Sequence, residues 1–327
     1  MRSDHFGVPV ATVVIPTHDR VELLRQAVAS VYAQTLGRWE LVIVDDASDD
    51  GTPSFLASIG DRRVRTLRLD ENAERSAARN IGMREARAPY VVFLDDDDRL
   101  LPSALDRLVR AVEAHPEAVA AVGGRDILGP DGDHRRAPHP RLPHVRNVWT
   151  DVFFDWVGFP SQTIFRLEPL QQVGGWNERV TLGEDRELWL RIARRGPVVF
   201  VPSQVVQWRM HADRPTQSGA GATRERRQRA RAESLDRNHV AGAERLLEAA
   251  ERWRAGVDAY EVGRYREATS DFLHSVWRAP SALASPLVGP NVARMTARAM
   301  FGCLFGTRVI EQVRRARRGI VDWARAE

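Results

Sequence analysis

Residues 11–46 read ATVVIPTHDRVELLRQAVASVYAQTLGRWELVIVDD and contain two apolar runs on either side of an amphipathic segment. The runs Val10–Ile15 and Leu41–Val44 are rich in Val, Ile and Leu, which predicts two buried parallel strands. Between them, Val21–Gln34 has apolar residues at three- and four-residue intervals, which predicts a helix. This stretch therefore predicts a strand, helix and strand unit.

The same alternation continues along the chain. Further strands are predicted at Val64–Leu69, Tyr90–Leu94 and Val119–Val122, and further helices at Thr52–Ile59, Ser76–Glu85 and Ser103–His115. Alternating strands and helices are typical of an α/β protein with a doubly wound sheet. Such sheets bind ligands at the carboxyl ends of their strands, so the residues that follow each strand are the first place to look for a site.

The last third of the chain has a different composition. A second apolar stretch from Phe159 to Trp208 is expected to complete the first domain, and the chain then becomes rich in Arg, Ala, Leu and Glu at helical spacing. A boundary is predicted near residue 220, with an α/β domain over residues 1–220 and a helical, arginine-rich region over residues 221–327. Within that region, residues 259–280 resemble one helical hairpin of the tetratricopeptide type.

Composition excludes several classes of protein. The chain has 327 residues, of which 43% are apolar and 28% charged, as is typical of globular proteins. All 48 basic residues are arginine, which excludes a phosphate-loop lysine and a Schiff-base lysine. The single cysteine, Cys303, and the lack of a signal-like start predict a cytoplasmic protein. A net charge of +4 without a stacking platform argues against nucleic-acid binding.

Acidic residues follow two of the predicted strands. After the second strand, residues 44–52 read VDDASDDGT, where Ser48 and Asp49 could simply cap the next helix. The run Asp95–Asp98 is different, because four adjacent carboxylates repel one another unless a cation compensates their charge. Hard divalent ions take oxygen ligands, so this run predicts an Mg²⁺ or Mn²⁺ site beside a substrate diphosphate.

Several ordered motifs resemble those of the family 2 glycosyltransferases, over residues 9 to 218. They are PTHDR at 16–20, VDDASDDGT at 44–52, ARNIG at 78–82, FLDDDD at 93–98, GGWNE at 174–178, GEDRELW at 183–189 and RMH at 209–211. The resemblance implies an α/β fold of the GT-A type and a nucleotide-diphosphate sugar donor. It also implies a divalent metal and transfer with inversion at the anomeric carbon.

The resemblance further implies roles for individual residues. Those expected to contact the nucleotide sugar are Pro16, His18, Arg20, Asp46, Arg79, Asn80, Asp95 and Asp96. Those expected to bind the metal are Asp95, Asp97 and His211. Asp185 is the expected general base, which takes the proton of the acceptor hydroxyl, and the adjacent Glu184 is the alternative. A surface ion pair for Arg79 and a solvent-facing loop position for His211 remain open.

One loop departs from the family pattern. Residues 72–75 read NAER and lack the glycines common in relatives, so a close approach of this backbone to a phosphate is not expected. Asp45, in contrast to Asp46, is expected to support the turn after the second strand rather than to contact the donor.

An apolar pattern near the C-terminus predicts contact with a membrane surface. The residues that recur at helical intervals among arginines are Phe301, Leu304, Phe305, Val309, Ile310, Val313, Ile320 and Trp323. Such a pattern is typical of an interfacial helix on anionic lipid, which would place the protein on the inner face of the cell membrane and suit a lipid-linked acceptor. The alternative is a helix that packs on the catalytic domain or on a partner.

The sequence therefore predicts a metal-assisted, inverting glycosyltransferase. The expected donor is a UDP-sugar, and the expected acceptor is a saccharide or a lipid-linked saccharide. One alternative is a noncatalytic nucleotide-sugar-binding or scaffold protein that acts through its helical tail. Another is a sugar-1-phosphate nucleotidyltransferase, although the glycine-rich signature expected after the first strand of such an enzyme is absent.

Overall fold

The computed structural model of the chain describes residues 7–129, 133–136, 145–154, 158–180, 183–210, 243–280, 293–300 and 303. The chain divides into two compact units, one of residues 1–149 and 156–238 and the other of residues 150–155 and 239–327. The predicted boundary near residue 220 lies outside the described residues. Among the helices that are described, none is long and apolar enough to cross a bilayer.

The first unit is built on a ten-stranded mixed sheet. Its strands are β1 (Ala11–Thr17), β2 (Trp39–Asp45), β3 (Val64–Arg68), β4 (Tyr90–Phe93), β5 (Arg99–Leu100), β6 (Ala120–Leu128), β7 (His134–Arg136), β8 (Val145–Arg146), β9 (Thr163–Arg166) and β10 (Val198–Arg209). Their order is β3-β2-β1-β4-β9-β6-β10-β5, with β7 beside β6 and β8 beside β10. The helices are α1 (Val21–Tyr32), α2 (Thr52–Ala57), α3 (Glu74–Arg84), α4 (Ala104–Glu113), α6 (Leu167–Gln172) and α7 (Glu184–Ile192), and α5 (Trp149–Phe154) falls at the division between the units.

The predicted strands and helices of the first 130 residues are confirmed, with two corrections. Strands β3, β2, β1 and β4 are parallel neighbours, but β9 lies between β4 and β6 and is antiparallel to both. The expected, mostly parallel sheet is thus confirmed, and the correction is the antiparallel strand β9 that lies within it. The second correction is that β3 is only half-buried, because it is the edge strand and has a neighbour on one side.

The core lies where helices cover the central strands. Every residue of β1 and β2 is buried, as their continuous apolar sequences predict. Helix α3 comes especially close to β1, because a Cβ on Gly82 would lie 2.3 Å from Val14 Cγ1. A glycine is needed there, and it lets α3 bring its other side chains to the carboxyl edge of the sheet.

The second unit contains a helical hairpin over residues 243–278, whereas the range predicted for it, residues 259–280, covers little more than its turn and second helix. Helices α8 (Ala243–Glu261) and α9 (Tyr265–Arg278) are joined by a short turn in which Gly263 has a φ of +81°. Trp253 packs on Phe272 with ring centroids 4.7 Å apart. Residues 293–300 are also helical. Apart from Cys303, the segment predicted to contact the membrane, residues 301–323, lies outside the described residues.

Candidate functional site

The carboxyl ends of β1, β2 and β4 meet at one edge of the sheet and bring together the acidic motifs of the sequence. Thr17, the last residue of β1, donates a hydrogen bond from its Oγ1 to Asp96 Oδ2 at 2.9 Å. Arg20 Nη1 lies 3.3 Å from Asp96 Oδ1 and 3.4 Å from Asp97 Oδ2. The motif after β1 is therefore in direct contact with the motif after β4.

A turn in the acidic run gathers three of its carboxylates. The backbone N–H of Asp98 donates to the carbonyl oxygen of Asp95 at 3.0 Å, which closes a four-residue turn. One carboxylate oxygen from each of Asp95, Asp97 and Asp98 lies within 4.8 Å of the other two. An all-oxygen set of this kind fits Mg²⁺ or Mn²⁺. Asp98 is an addition to the predicted ligands, whereas His211 lies outside the described residues.

Asp96 does not belong to this cluster, and its carboxylate contacts Thr17 and Arg20. Its side chain is buried, and that burial together with the charge of Asp97 raises the pKa of Asp96 to about 7. Arg20 and Thr17 act in the opposite direction, since both favour the charged carboxylate. Arg20 and Arg79 both contact this run of four acids, and four adjacent carboxylates favour a bound cation.

The loop after β2 is organised by its two aspartates in different ways. Asp45 is fully buried, and it accepts hydrogen bonds from the Ser48 N–H at 3.0 Å and from Arg68 Nη1 at 2.8 Å. Its predicted role in supporting the turn is confirmed. Asp46 accepts the N–H of Ala73 at 2.7 Å through Oδ1, so one carboxylate oxygen anchors the loop before α3.

His18 and Pro16 belong to the motif at the end of β1. His18 Nδ1 is 2.7 Å from the carbonyl oxygen of Asp46, and its ring is exposed, whereas Pro16 is buried within β1. The neighbouring Asp19 and Ala47 have φ values of +52° and +58°, in the left-handed region that non-glycine residues rarely occupy. Strained backbone of this kind is concentrated at functional sites.

The loop at residues 72–75 also contains a strained residue. Glu74 has a φ of +70°, although it is not a glycine, and it begins helix α3. The N–H of Ala73 is already donated to Asp46. The Ala73 N–H therefore holds Asp46, and the expectation that this loop does not approach a phosphate stays a prediction.

Arg79 is buried between the acidic run and the start of α7. Its relative exposure is 1%, so the alternative of a surface ion pair is wrong. Nη2 lies 2.6 Å from Asp95 Oδ1, Nη1 lies 3.3 Å from Glu184 Oε1, and the guanidinium is 4.4 Å from the centre of the Trp176 ring. Burial alone would lower the pKa of Arg79, but the charges of Asp95 and Glu184 outweigh it and raise that pKa.

The amide of Asn80 is held by the segment before α7. Its Oδ1 accepts the N–H of Trp176 at 2.8 Å, and its Nδ2 donates to the carbonyl oxygen of Trp176 and to Glu178 Oε1, both at 2.8 Å. The donor contact expected for Asn80 stays a prediction. What the structure shows is that this side chain fixes the backbone at Trp176.

Glu184 and Asp185 occupy the first turn of α7. Gly183, with a φ of +83°, precedes the helix, and the positive end of the helix dipole favours acidic residues there. Glu184 is buried and paired with Arg75 at 3.5 Å and with Arg79. Burial and the charge of Glu184 raise the pKa of Asp185 to about 7. A carboxylate with that pKa can accept a proton near neutral pH.

Comparisons with known proteins agree with this geometry. Residues 12–174 match the family described as Glycosyl transferase family 2. The chain is 36% identical over 142 residues to the succinoglycan biosynthesis protein ExoO of Rhizobium meliloti, covering 42% of this chain and 40% of that protein. It is 32% identical over 130 residues to the GalNAc(5)-diNAcBac-PP-undecaprenol beta-1,3-glucosyltransferase of Campylobacter jejuni, covering 38% of this chain and 41% of that protein.

A solved structure has the same fold. TarS 1-349 of S. aureus, crystallised in complex with UDP-GlcNAc, matches with a TM-score of 0.60 and 15% identity, over 94% of this chain and 92% of that chain. At that identity the likeness shows the fold alone, and it confirms the predicted α/β class of the GT-A type. The chain spans about two fifths of the length of the curated relatives from R. meliloti and C. jejuni.

Proposed function

The chain belongs to glycosyl transferase family 2, and on this basis we propose that it moves a sugar from a nucleotide-diphosphate sugar to a saccharide or lipid-linked saccharide acceptor. One observation carries the proposal. The oxygen cluster of Asp95, Asp97 and Asp98 and the segment that bears Asp185 are joined through a single buried side chain, Arg79. The carboxylate cluster can bind a cation that also contacts the donor diphosphate, and Asp185 can accept a proton. Arg79 thereby holds these two parts of the site together.

The proposed donor is a UDP-sugar, which binds at the edge formed by the loops after β1 and β2. Asp46 uses the carboxylate oxygen that does not hold Ala73 to accept hydrogen bonds from the base or the ribose. His18 and Pro16 border the base, and Arg20 and Asp96 lie toward the ribose and diphosphate. The complex of S. aureus TarS with UDP-GlcNAc, which has the same fold, supports this donor class.

The proposed cofactor is Mg²⁺ or Mn²⁺, held by Asp95 and Asp97, with Asp98 as a further oxygen donor and His211 as a further ligand. When bound, the cation supplies positive charge that stabilises the departing nucleoside diphosphate. Carboxylates are the ligands that such hard cations prefer. Arg20 stands beside the same cluster and adds a fixed positive charge.

The proposed base is Asp185, and the proposed stereochemical course is inversion. Its carboxylate takes the proton of the acceptor hydroxyl while that oxygen forms a bond to the anomeric carbon. The bond from the anomeric carbon to the phosphate oxygen breaks on the opposite face, and its electron pair leaves with the diphosphate. Glu184 is tied to Arg75 and Arg79 as an ion pair, so its role is to raise the pKa of Asp185.

A membrane-bound, lipid-linked acceptor belongs to the same proposal. It is supported by the C. jejuni relative, whose name includes an undecaprenol-linked substrate, and by the apolar pattern of residues 301–323. We expect the protein to sediment with vesicles that contain phosphatidylglycerol and not with phosphatidylcholine vesicles, because about 1 kcal/mol is gained per arginine near an anionic surface. Absence of sedimentation with either kind of vesicle would contradict the membrane contact.

Thermal unfolding with nucleotide sugars tests the proposed activity. UDP-, GDP- and dTDP-sugars are added with and without Mn²⁺, and a ligand that binds the folded state raises the unfolding midpoint. We expect UDP-sugars to raise the midpoint only when Mn²⁺ is present, and we expect Asp97→Ala to lose this rise. NMR of the reaction product should show that the anomeric configuration has been inverted. Absence of any rise would favour a scaffold protein, whereas release of pyrophosphate from UTP and a sugar 1-phosphate would indicate nucleotidyl transfer.

A further inference from the structure

We propose that Arg79 and Asn80 are positioning residues that join the acidic run to the segment carrying the predicted base, and that neither residue contacts the nucleotide sugar. These positioning roles rest on the proposed function, since they explain how its metal-binding and proton-accepting groups are held together. They replace the donor contacts that the family resemblance implied for the two residues.

Hydrogen-bond capacity argues against a phosphate contact by Asn80. A side-chain amide has two N–H donors, and only those could bind a phosphate oxygen. Both are already used, one on the carbonyl oxygen of Trp176 and one on Glu178 Oε1, each at 2.8 Å. The remaining oxygen accepts the N–H of Trp176 and would repel a diphosphate. Every polar atom of Asn80 is thus committed to residues 176–178.

Burial argues against a phosphate contact by Arg79. The residue is 1% exposed, its two Nη atoms are paired with Asp95 and Glu184, and Trp176 lies against the guanidinium. Its Nε–H has no hydrogen-bond partner in the described part of the chain, yet that atom is buried as well. A diphosphate could reach Nε only by displacing the residues around it.

Geometry gives Arg79 a connecting role. The guanidinium is a rigid planar fork, so the positions of Asp95 and Glu184 are fixed relative to each other when both are bound. Asp95 belongs to the oxygen cluster, and Glu184 is the residue before Asp185. Asn80, one residue further along α3, holds the other end of the segment at Trp176. Helix α3 is itself fixed to β1 by the close approach of Gly82.

Three variants on one helix test this inference. Arg79→Lys keeps the charge but loses the fork, Asn80→Ala removes all three amide contacts, and Arg84→Lys is the matched control, an exposed arginine of α3. Two quantities are measured for each. The first is kcat and KM for release of UDP in Mn²⁺ from the UDP-sugar that gives the largest thermal shift. The second is the ratio of the affinity for UDP to the affinity for uridine, measured in EDTA so that no metal is bound. This ratio reports the contribution of the diphosphate to binding.

For positioning residues, kcat falls about 10- to 100-fold in Arg79→Lys and Asn80→Ala, because displacements near 1 Å misalign the reacting groups. KM stays within about threefold of wild type, since ground-state binding is retained. The ratio of UDP to uridine affinity without metal is unchanged, because no phosphate contact is lost. Arg84→Lys behaves as wild type in both measurements.

The opposite results overturn the inference. In either variant, the ratio of UDP to uridine affinity without metal could fall about tenfold, which is the effect of losing one charged hydrogen bond. That result would mean that the residue contacts the phosphate directly. Unchanged kcat in both variants would overturn the positioning role. If Arg79→Lys does not fold, Asn80→Ala decides the question alone. If the wild-type protein neither binds UDP nor releases it, the proposed function fails. If the wild-type protein is active and both variants behave like it, only the positioning roles fail.

Discussion

Asp185 and Asp96 lie in different parts of the site, yet burial raises the pKa of each to about 7. In each case an adjacent acid adds to the effect, Glu184 for the first and Asp97 for the second. The difference is in their partners. Asp96 is paired with Arg20 and Thr17, whereas Asp185 accepts the backbone N–H of Arg186 at 2.6 Å. Asp185 is therefore the carboxylate that is better suited to exchange a proton with an acceptor.

The role of Asp185 leads to a prediction for rate and pH. We expect Asp185→Asn to lower kcat by about 10²- to 10⁴-fold, the usual contribution of a general base, while the thermal shift with donor and Mn²⁺ persists. In wild type, kcat should rise as pH increases through about 7, because only the deprotonated carboxylate can accept a proton. Glu168→Gln, at an exposed acid of α6, is the control. A pH-independent kcat would contradict this assignment.

Single residues also show where sequence reasoning reaches its limit. Asp98 belongs to the acidic run, but only the structure reveals that it joins Asp95 and Asp97, whereas Asp96 contacts Thr17 and Arg20. Asn80 could not be assigned from its motif, because its partners at Trp176 and Glu178 lie nearly a hundred residues further along the chain. Motifs identify which residues gather at a site, and side-chain partners decide what each one does.

At the scale of elements, the packing of α3 on β1 determines where Arg79 and Asn80 stand. A Cβ at Gly82 would lie 2.3 Å from Val14 Cγ1 and 3.3 Å from two further atoms of that side chain. Such distances cannot be accommodated without moving either the helix or the strand. The helix therefore depends on glycine at this position for its approach to the sheet.

We expect Gly82→Ala to lower the free energy of unfolding by about 1–3 kcal/mol, the usual cost of overpacking a core. Gly60→Ala is the control, since nothing lies within 4 Å of a Cβ there and the φ is not positive. Adding Val14→Ala to Gly82→Ala should restore part of the lost stability by making room for the new methyl group. Urea denaturation measures all three. Equal stability of Gly82→Ala and Gly60→Ala would show that the helix can shift at little cost.

Elements whose pattern is local were predictable, and elements that depend on distant pairing were not. The strands at Val10–Ile15 and Leu41–Val44 were found because a central parallel strand is apolar on both faces. The position of β9 between β4 and β6 was missed, since Thr163–Arg166 gives no local sign of its neighbours. The strand Arg99–Leu100 has only two residues, which is too short to show a repeating pattern of apolar and polar side chains.

For the molecule as a whole, the two raised pKa values predict how stability depends on pH. Unfolded Asp has a pKa near 3.8, whereas folded Asp96 and Asp185 titrate near 7. Between these values the folded protein binds protons that the unfolded chain does not, so its stability should decrease as pH rises from about 4 to 7. Asp61, whose pKa is lowered by its hydrogen bond to Arg63, affects stability only below that window.

Thermal unfolding of metal-free protein at several pH values checks this dependence. We expect a higher midpoint at about pH 5.5 than at about pH 7.5, and a weaker slope in Asp96→Asn and Asp185→Asn. Mn²⁺ added at the higher pH should raise the midpoint through binding to the acidic run. Asp70→Asn, at an exposed aspartate shortly after β3, should keep the wild-type slope. A midpoint that rises with pH across this range would contradict the raised pKa values of these two acids.

The place of β9 in the sheet also has a consequence for biosynthesis. Strand β6 ends at Leu128, but its neighbour β9 begins only at Thr163, and its other neighbour β10 ends at Arg209. At a translation rate of about 5–20 residues per second, the interval between Leu128 and Thr163 lasts about 2–7 s. Throughout it, the nascent chain displays the unpaired edge of β4, a template for wrong pairing. We therefore expect chaperones to protect this protein while it is still bound to the ribosome, before the middle strand of the sheet has been made.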